Sequence, residues 1–296
     1  MRISSLSQPQ RMLTTLETGN TQIQKYQDQL ATQQKQTLPS EDPLNAKRVA
    51  LLTQQQATTS QYQKNITTAN DALTQQDTLL SSMSDLVLSL QDQLRSMNTA
   101  TKSTKDFTTQ LSTLTEGMVN LLNSQDAEGH YIFAGTNRDN PPVTKVAGKY
   151  QWQGNQEGVS VQVGQQQNIS GSTDVSTLFA ANDDPLSFIN SLSQLAQSSS
   201  SASPDSTTLS TLLQQSSEVS AKVGSARGSI GSRQNQLTQL TDMYTDLTAA
   251  NSEVLNQLQS PDTAETTLQL QSWLKTVEYS SKAYGLMNQF SMFDVI

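Results

Sequence analysis

The strongest constraint on this chain is an apolar register that steps by three and four residues over long distances at both ends. In the second half it reads Leu209, Leu212, Ser216, Val219, Val223, Ala226, Ile230, Arg233, Leu237, Leu240, Tyr244, Leu247, Asn251, Val254 and Leu258. In the first half it reads Tyr62, Ile66, Ala69, Leu73, Gln76, Leu80, Met83, Val87, Leu90, Leu94 and Met97. So narrow a stripe is stable only when another helix covers it, so the chain is built for lengthwise helix packing. That points to an assembly component rather than a catalyst.

Composition agrees. Over 296 residues, hydrophobic residues are 34% and aromatic residues 5%, little material for a large compact core. The polar faces are mostly Gln, Ser, Thr and Asn, because charged residues are only 15%. A net charge of -8 argues against a nucleic-acid partner. The absence of cysteine removes disulfides, thiolate metal sites and cysteine nucleophiles. Met1 to Pro9 carries neither an apolar core nor a cleavage site of a secretory signal, so export without a cleaved signal peptide or residence in the cytoplasm are both open. No run reaches the ~20 apolar residues of a membrane span, so membrane insertion is not expected.

Proline and glycine divide the chain. A first helix carrying Leu6, Leu13, Leu16, Asn20, Ile23 and Leu30 is expected to stop near Gln36, and Pro39 and Pro43 force a break. One helix then runs from about Leu44 to Met97, and another from Asp106 to Asn123. Tyr131 to Gly135 is strand-like, and the alternation of Tyr150 with Trp152 and of Val159, Val161 and Val163 signals hairpins. Asp184-Pro185 opens a short helix with Phe188, Leu192 and Leu195, and Ser198 to Pro204 is a linker. A long helix spans about Asp205 to Gln259, and Ser260-Pro261-Asp262 ends it, with Ser260 the expected cap of the last helix. Gly224, Gly228 and Gly231 inside the long helix indicate either close backbone approach or a bend. The expected fold is mainly α, an elongated antiparallel coiled-coil or helical bundle built from both chain ends, with a small β-rich insertion at its tip. The expected domains are 1–38 with 262–296 (terminal helices), 39–130 with 173–261 (long helices) and 131–172 (the β insertion).

Several strings resemble the flagellin superfamily, and within it the branch of hook-associated proteins that join the flagellar hook to the filament. They are Met1-Arg2-Ile3-Ser4 before an amphipathic helix, Leu38 to Pro43 between the first two helices, Asp126 to Thr136, Tyr150 to Val163 as a strand pair, Ile230 to Leu237, and the ending Gln289 to Ile296. The family usually has a Gly and basic residues before the proline loop, where this chain has Gln33-Gln34-Lys35-Gln36-Thr37. The resemblance implies a self-assembling structural subunit of the extracellular bacterial flagellum, exported by the flagellar type III route. The implied partners are further copies of itself in a ring, the preceding hook-associated protein, flagellin, and an export chaperone that binds the C-terminal region. A filament flagellin, or a type III secreted coiled-coil translocator, is the alternative; the translocator calls for an apolar hairpin that the sequence lacks.

No catalytic, cofactor or metal residues are expected, and an enzyme is not. His130 is the only histidine and reads as a turn or strand-edge residue. Glu41-Asp42 and Asp183-Asp184 precede prolines and read as helix caps. The expected assembly residues are Leu6, Leu13, Leu16, Ile23 and Leu30 at one end, and Leu270, Trp273, Val277, Tyr284, Met287, Phe290 and Phe293 at the other. They serve either an internal core alone or internal pairing together with subunit contacts. Asn20, Arg233 and Asn251 on apolar positions are either polar residues tolerated at an edge or devices that fix helix register.

Overall fold

The computed structural model describes residues 7–36, 38–98, 104–180, 184–198 and 204–293, without the side chains of residues 7–9, 98 and 287–293. The described residues form a mainly α protein with a small β content. Its helices are α1 (Ser7–Thr32), α2 (Pro43–Asn98), α3 (Thr104–Leu122), α4 (Ser187–Ser198), α5 (Ser206–Gln259) and α6 (Thr263–Phe293). Its strands are β1 (Val143–Val146), β2 (Lys149–Trp152), β3 (Ser160–Gln162) and β4 (Asn168–Ser170). The chain divides into two compact units, one of Met1–Thr59 with Asp246–Ile296, the other of Ser60–Thr245.

The Ser60–Thr245 unit holds the core. In α2 every position of the register from Ile66 to Met97 is buried, Gln76 included. Gln76 is accommodated because its amide donates to the Gly171 carbonyl at 2.7 Å. In α5 the register is buried at Leu209, Leu212, Ser216, Val219, Val223, Ile230, Leu237, Leu240 and Tyr244. The two helices are tied by the Arg227–Asp77 pair at 2.8 Å, by Gln234 donating to Thr74 Oγ1, and by the Tyr62 and Tyr244 rings 5.7 Å apart. Phe107, Leu111, Met118 and Leu122 of α3 are fully buried, and Phe179 stacks on Phe188 of α4.

Two separate antiparallel hairpins, β1–β2 and β3–β4, complete this unit. The strand signals at Tyr150–Trp152 and Val159–Val163 therefore belong to different hairpins, with Val143–Val146 and Asn168–Ser170 as their partners. The tight turn between β1 and β2 is Ala147-Gly148, with φ of 50° and 84°, and the non-glycine first residue conceals it in the sequence. Two asparagine amides pin the β1–β2 hairpin. Asn123 gives and takes a bond with the Val143 backbone, and Asn190 does the same with Tyr150.

Tyr131–Gly135 is not a strand. Apart from one bridge between Gln125 and Tyr131, the segment is a series of turns, because Gly135 takes φ 71° and the Tyr131 N–H bonds to the Arg138 carbonyl across its own loop.

In the unit of chain ends, α1 and α6 run close together and antiparallel: Gly19 faces Trp273 and Val277, and the Lys35 N–H bonds to the Gln259 carbonyl. Pro43 opens α2, and the Asp42 carboxylate accepts the Asn45 N–H, so Asp42 caps while Glu41 pairs with Lys25 at 3.2 Å. The cap of α6 is Asp262, not Ser260: the helix begins at Thr263, and the Asp262 carboxylate accepts the Ala264 and Glu265 N–H groups. α1 ends where Gln33 takes φ 54°, the left-handed closing residue that glycine fills most readily.

The register itself slips once. At the end of α5, Leu255 is buried and Val254 is 43% exposed. A helix of 3.6 residues per turn drifts by about 20° per heptad against a 3.5-residue stripe. Accumulated over six heptads that drift would come to about 120° and shift every later position, yet Asn251 stays buried and Leu258 half-buried while Gln259 is exposed, so the change is local: steps of four then three in place of three then four.

Among the described residues nothing lies within 4 Å of a Cβ placed on Gly224, Gly228 or Gly231, so these glycines mark no close approach there. Gly224→Ala and Gly228→Ala are each expected to raise stability by about 1 kcal/mol, as measured by urea denaturation.

Candidate assembly surface

The two units differ sharply in where apolar side chains go. Among the described residues, 38 hydrophobic residues are buried, and only Ile23 and Leu255 of these belong to the unit of chain ends. Of the twelve large hydrophobics that are exposed, nine belong to it, leaving only Leu88, Val146 and Met243 in the other unit. The seam of the end unit is also polar. Thr59, Asn251 and Thr266 are buried there, Gln56 bonds to Ser252 Oγ, and Asn45 donates to the Leu258 carbonyl. Buried amides and hydroxyls contribute far less on burial than the leucines they replace.

The residues singled out from the sequence are distributed as follows. Ile23 is buried; Leu16, Leu30, Leu270, Trp273, Val277 and Tyr284 are half-buried; Leu13 is 45% exposed. Leu6 and the side chains of Met287, Phe290 and Phe293 lie outside the described residues. Asn20 is exposed, and Asn251 is buried with its amide nitrogen unpartnered among the described residues.

Sequence reading missed two features of the end helices. Gly19 is buried, and a Cβ there would overlap Val277 Cγ2. The signal was a glycine in the interior of an otherwise regular helix. α6 is apolar on two sides, with Leu268, Tyr279 and Leu286 exposed on the side away from Trp273 and Val277. Their spacing, 11 and 7 residues, places all three in one row.

The Ser60–Thr245 unit carries two polar clasps. In the first, Asp126 accepts the Glu128 and His130 N–H groups at 2.9 Å and pairs with Arg138 at 2.6 Å. Burial pushes the Asp126 carboxyl up, but the two N–H donors and the Arg138 guanidinium outweigh it and hold it below its ordinary value. His130 is a turn residue, half-buried, 3.3 Å from Asp139. Gly135-Thr136 closes the same loop on Asn155, whose side chain accepts the Thr136 N–H at 2.9 Å; a side chain at Gly135 would strike Asn155. In the second, Arg233 donates to the Ser170 and Ser172 carbonyls and to Thr173 Oγ1. Burial pulls its pKa down, and its partners are all neutral oxygens.

Asp184, the described half of its acidic pair, accepts the Leu186 N–H ahead of α4; Asp183 lies outside the described residues.

A mainly helical protein whose end helices pair, and whose exposed large apolar side chains gather in the unit of chain ends, is the class that this geometry defines. The fold is that of flagellar hook-associated proteins of solved structure. A Vibrio parahaemolyticus protein described as flagellar hook-associated superposes with a TM-score of 0.70 at 23% identity, over 74% of this chain and 100% of that one. The Bacillus cereus protein FlgL superposes with a TM-score of 0.59 at 18% identity, over 70% and 99%. In sequence, the chain is 26% identical to flagellar hook-associated protein 3 of Escherichia coli over 153 residues, 51% of this chain and 48% of that protein. It is also 26% identical to the protein of that name from Salmonella typhimurium, over 55% of this chain and 52% of that protein. The chain thus aligns with about half the length of these curated relatives. No family model matches it.

Two outcomes are expected. Gly19→Val opens α1 from α6, seen as faster amide hydrogen exchange over residues 21–29, and Val277→Ala in the same chain restores protection. Asp126→Asn costs about 1–3 kcal/mol at pH 7 in urea denaturation. The native carboxyl titrates below its unfolded value, so its contribution is present above the unfolded value and lost as pH falls through the native one. The gap between variant and wild type therefore closes below about pH 4.

Proposed function

We propose that this protein is a structural subunit of the bacterial flagellum that assembles between the hook-associated zone and the flagellin filament. The observation that carries this reading is the division of apolar surface among the described residues: a packed core within residues 60–245, and a unit of chain ends that leaves nine large apolar side chains in solvent. Exposed apolar area of that extent on one part of a chain marks a surface that is covered in use. The fold of the hook-associated proteins and the partial identity to flagellar hook-associated protein 3 support the place assigned to it.

Within this reading the chain is structural rather than catalytic. Residues 1–38 and 262–296 pair as helices of the inner tube, 39–130 with 173–261 carry the long helices, and 131–172 is the insertion. Leu13, Leu16, Ile23 and Leu30 with Leu270, Trp273, Val277 and Tyr284 serve both internal pairing and contact with neighbouring subunits. The partners are copies of the same chain, the preceding hook-associated protein and flagellin. The chain leaves the cell unfolded through the flagellar export apparatus, escorted by a chaperone on its C-terminal region.

Electron microscopy of a null mutant tests the reading. Intact hooks without filaments, and flagellin secreted in unpolymerised form, are expected. Loss of the filament subunit itself would mean a flagellin, and normal filaments would end the proposal. A chain shortened to residues 1–262 is expected to keep the helical core, by circular dichroism, and to fail to restore filaments.

A further inference from the structure

The end unit carries two exposed stripes of opposite charge on different helices. On α2, Leu44, Lys47, Arg48 and Leu51 lie within about 100° of one another around the helix, on the side away from Asn45, Leu52 and Gln56. Leu44 is 64% and Leu51 57% exposed, and Lys47 and Arg48 are exposed between them. On α5, Asp246, Ala250, Glu253 and Val254 share a side away from Thr248, Ser252 and Leu255. Val254 is 43% exposed, and Asp246, Ala250 and Glu253 are exposed with it.

None of Lys47, Arg48, Asp246 and Glu253 joins an ion pair among the described residues. Glu253 takes only a neutral bond from Gln257. The stripes also match in length, since seven residues separate Leu44 from Leu51 and Asp246 from Glu253, about 10 Å along each helix. One stripe is basic with leucine at both ends. The other is acidic around an alanine and a valine.

We infer that the Leu44–Lys47–Arg48–Leu51 stripe of one copy docks on the Asp246–Ala250–Glu253–Val254 stripe of the next. This rests on the subunit role proposed above and names one contact within it. The occupant is a second copy because each stripe supplies the charge and the apolar area that the other lacks, and both belong to one chain. The two patches are different, so the contact is heterologous. It leaves one free stripe of each kind on every pair and so propagates to a ring or helix instead of stopping at a dimer.

The test uses the full-length chain. Lys47→Glu with Arg48→Glu places like charges across the contact, and so does Asp246→Lys with Glu253→Lys. Each pair is expected to weaken self-association in sedimentation velocity by about tenfold or more, with circular dichroism unchanged. The chain with all four substitutions is expected to recover. The lack of cysteine allows a second reading. Leu51→Cys and Ala250→Cys chains mixed under mild oxidation should cross-link with each other in preference to either alone.

Association of a one-sided variant at the wild-type level overturns the inference. So does failure of the four-residue swap to recover, or a wild-type chain that stays monomeric and gives no preferred mixed cross-link. Capture of either stripe only by a different axial protein overturns it as well. Complementation of the null strain separates the two proposals. Wild-type chain that fails to restore filaments overturns the subunit role whatever the cross-linking shows. One-sided variants that associate normally overturn only this contact.

Discussion

The interaction on which the rest depends is the burial of one continuous apolar face on each of α2 and α5 within residues 60–245. Fully burying a large aliphatic side chain contributes about 1.5–3 kcal/mol, and nearly all such burial in this protein falls in that unit. The two hairpins, α3 and α4 are held to this frame by a few directional bonds. Gln76 reaches Gly171, Tyr244 reaches the Val163 carbonyl, and Arg233 gathers the 170–173 loop. Removing the frame would leave those bonds with nothing to orient them.

The same helices continue into the unit of chain ends, and there their chemistry changes. Asn45, Gln56, Thr59, Thr248 and Asn251 there interrupt the apolar side chains of Val49, Leu52, Leu247, Leu255 and Leu258 along the facing sides. So interrupted a seam gains less on burial, and this unit is held also by close approach at Gly19, the Lys25–Glu41 pair and the bonds from Asn45 to the Leu258 carbonyl and from Gln56 to Ser252. Most of its large apolar residues among the described ones are therefore at the surface. The change of seam chemistry falls within the length of each of these two helices.

Much of this was legible in the sequence because it depends on period. The buried positions of α2 follow the three-four pattern from Ile66 to Met97, and the proline breaks fall where the helices end. What escaped depends on geometry that a period does not encode. The Val254–Leu255 slip is a local exchange of a three-four step for a four-three step, with Asn251 and Leu258 still in register. The failure of Tyr131–Gly135 to become a strand comes from its turns: Gly135 takes a left-handed φ, the Tyr131 N–H bonds to the Arg138 carbonyl, and Asp126 and Asn155 hold the flanking His130 and Thr136 N–H groups. The Ala147-Gly148 turn hid behind an alanine. Gly19, and the second apolar side of α6, were visible as residues, but their meaning lies in what stands opposite them.

Asn20, Arg233 and Asn251 share a position in the apolar pattern and nothing else, which bears on how polar residues in such seams are to be read. Asn20 faces solvent, where it carries no packing burden. Arg233 leaves the seam to hold a loop, its guanidinium fork matched to three neutral oxygens on residues 170–173. Asn251 alone sits buried with an unpartnered amide, in the unit that has almost no apolar core. A buried donor without an acceptor is costly. Polar interruptions of a long seam therefore do not share one role: Asn20 is solvated, Arg233 is recruited to a loop, and Asn251 stays buried with an unpartnered amide among the described residues.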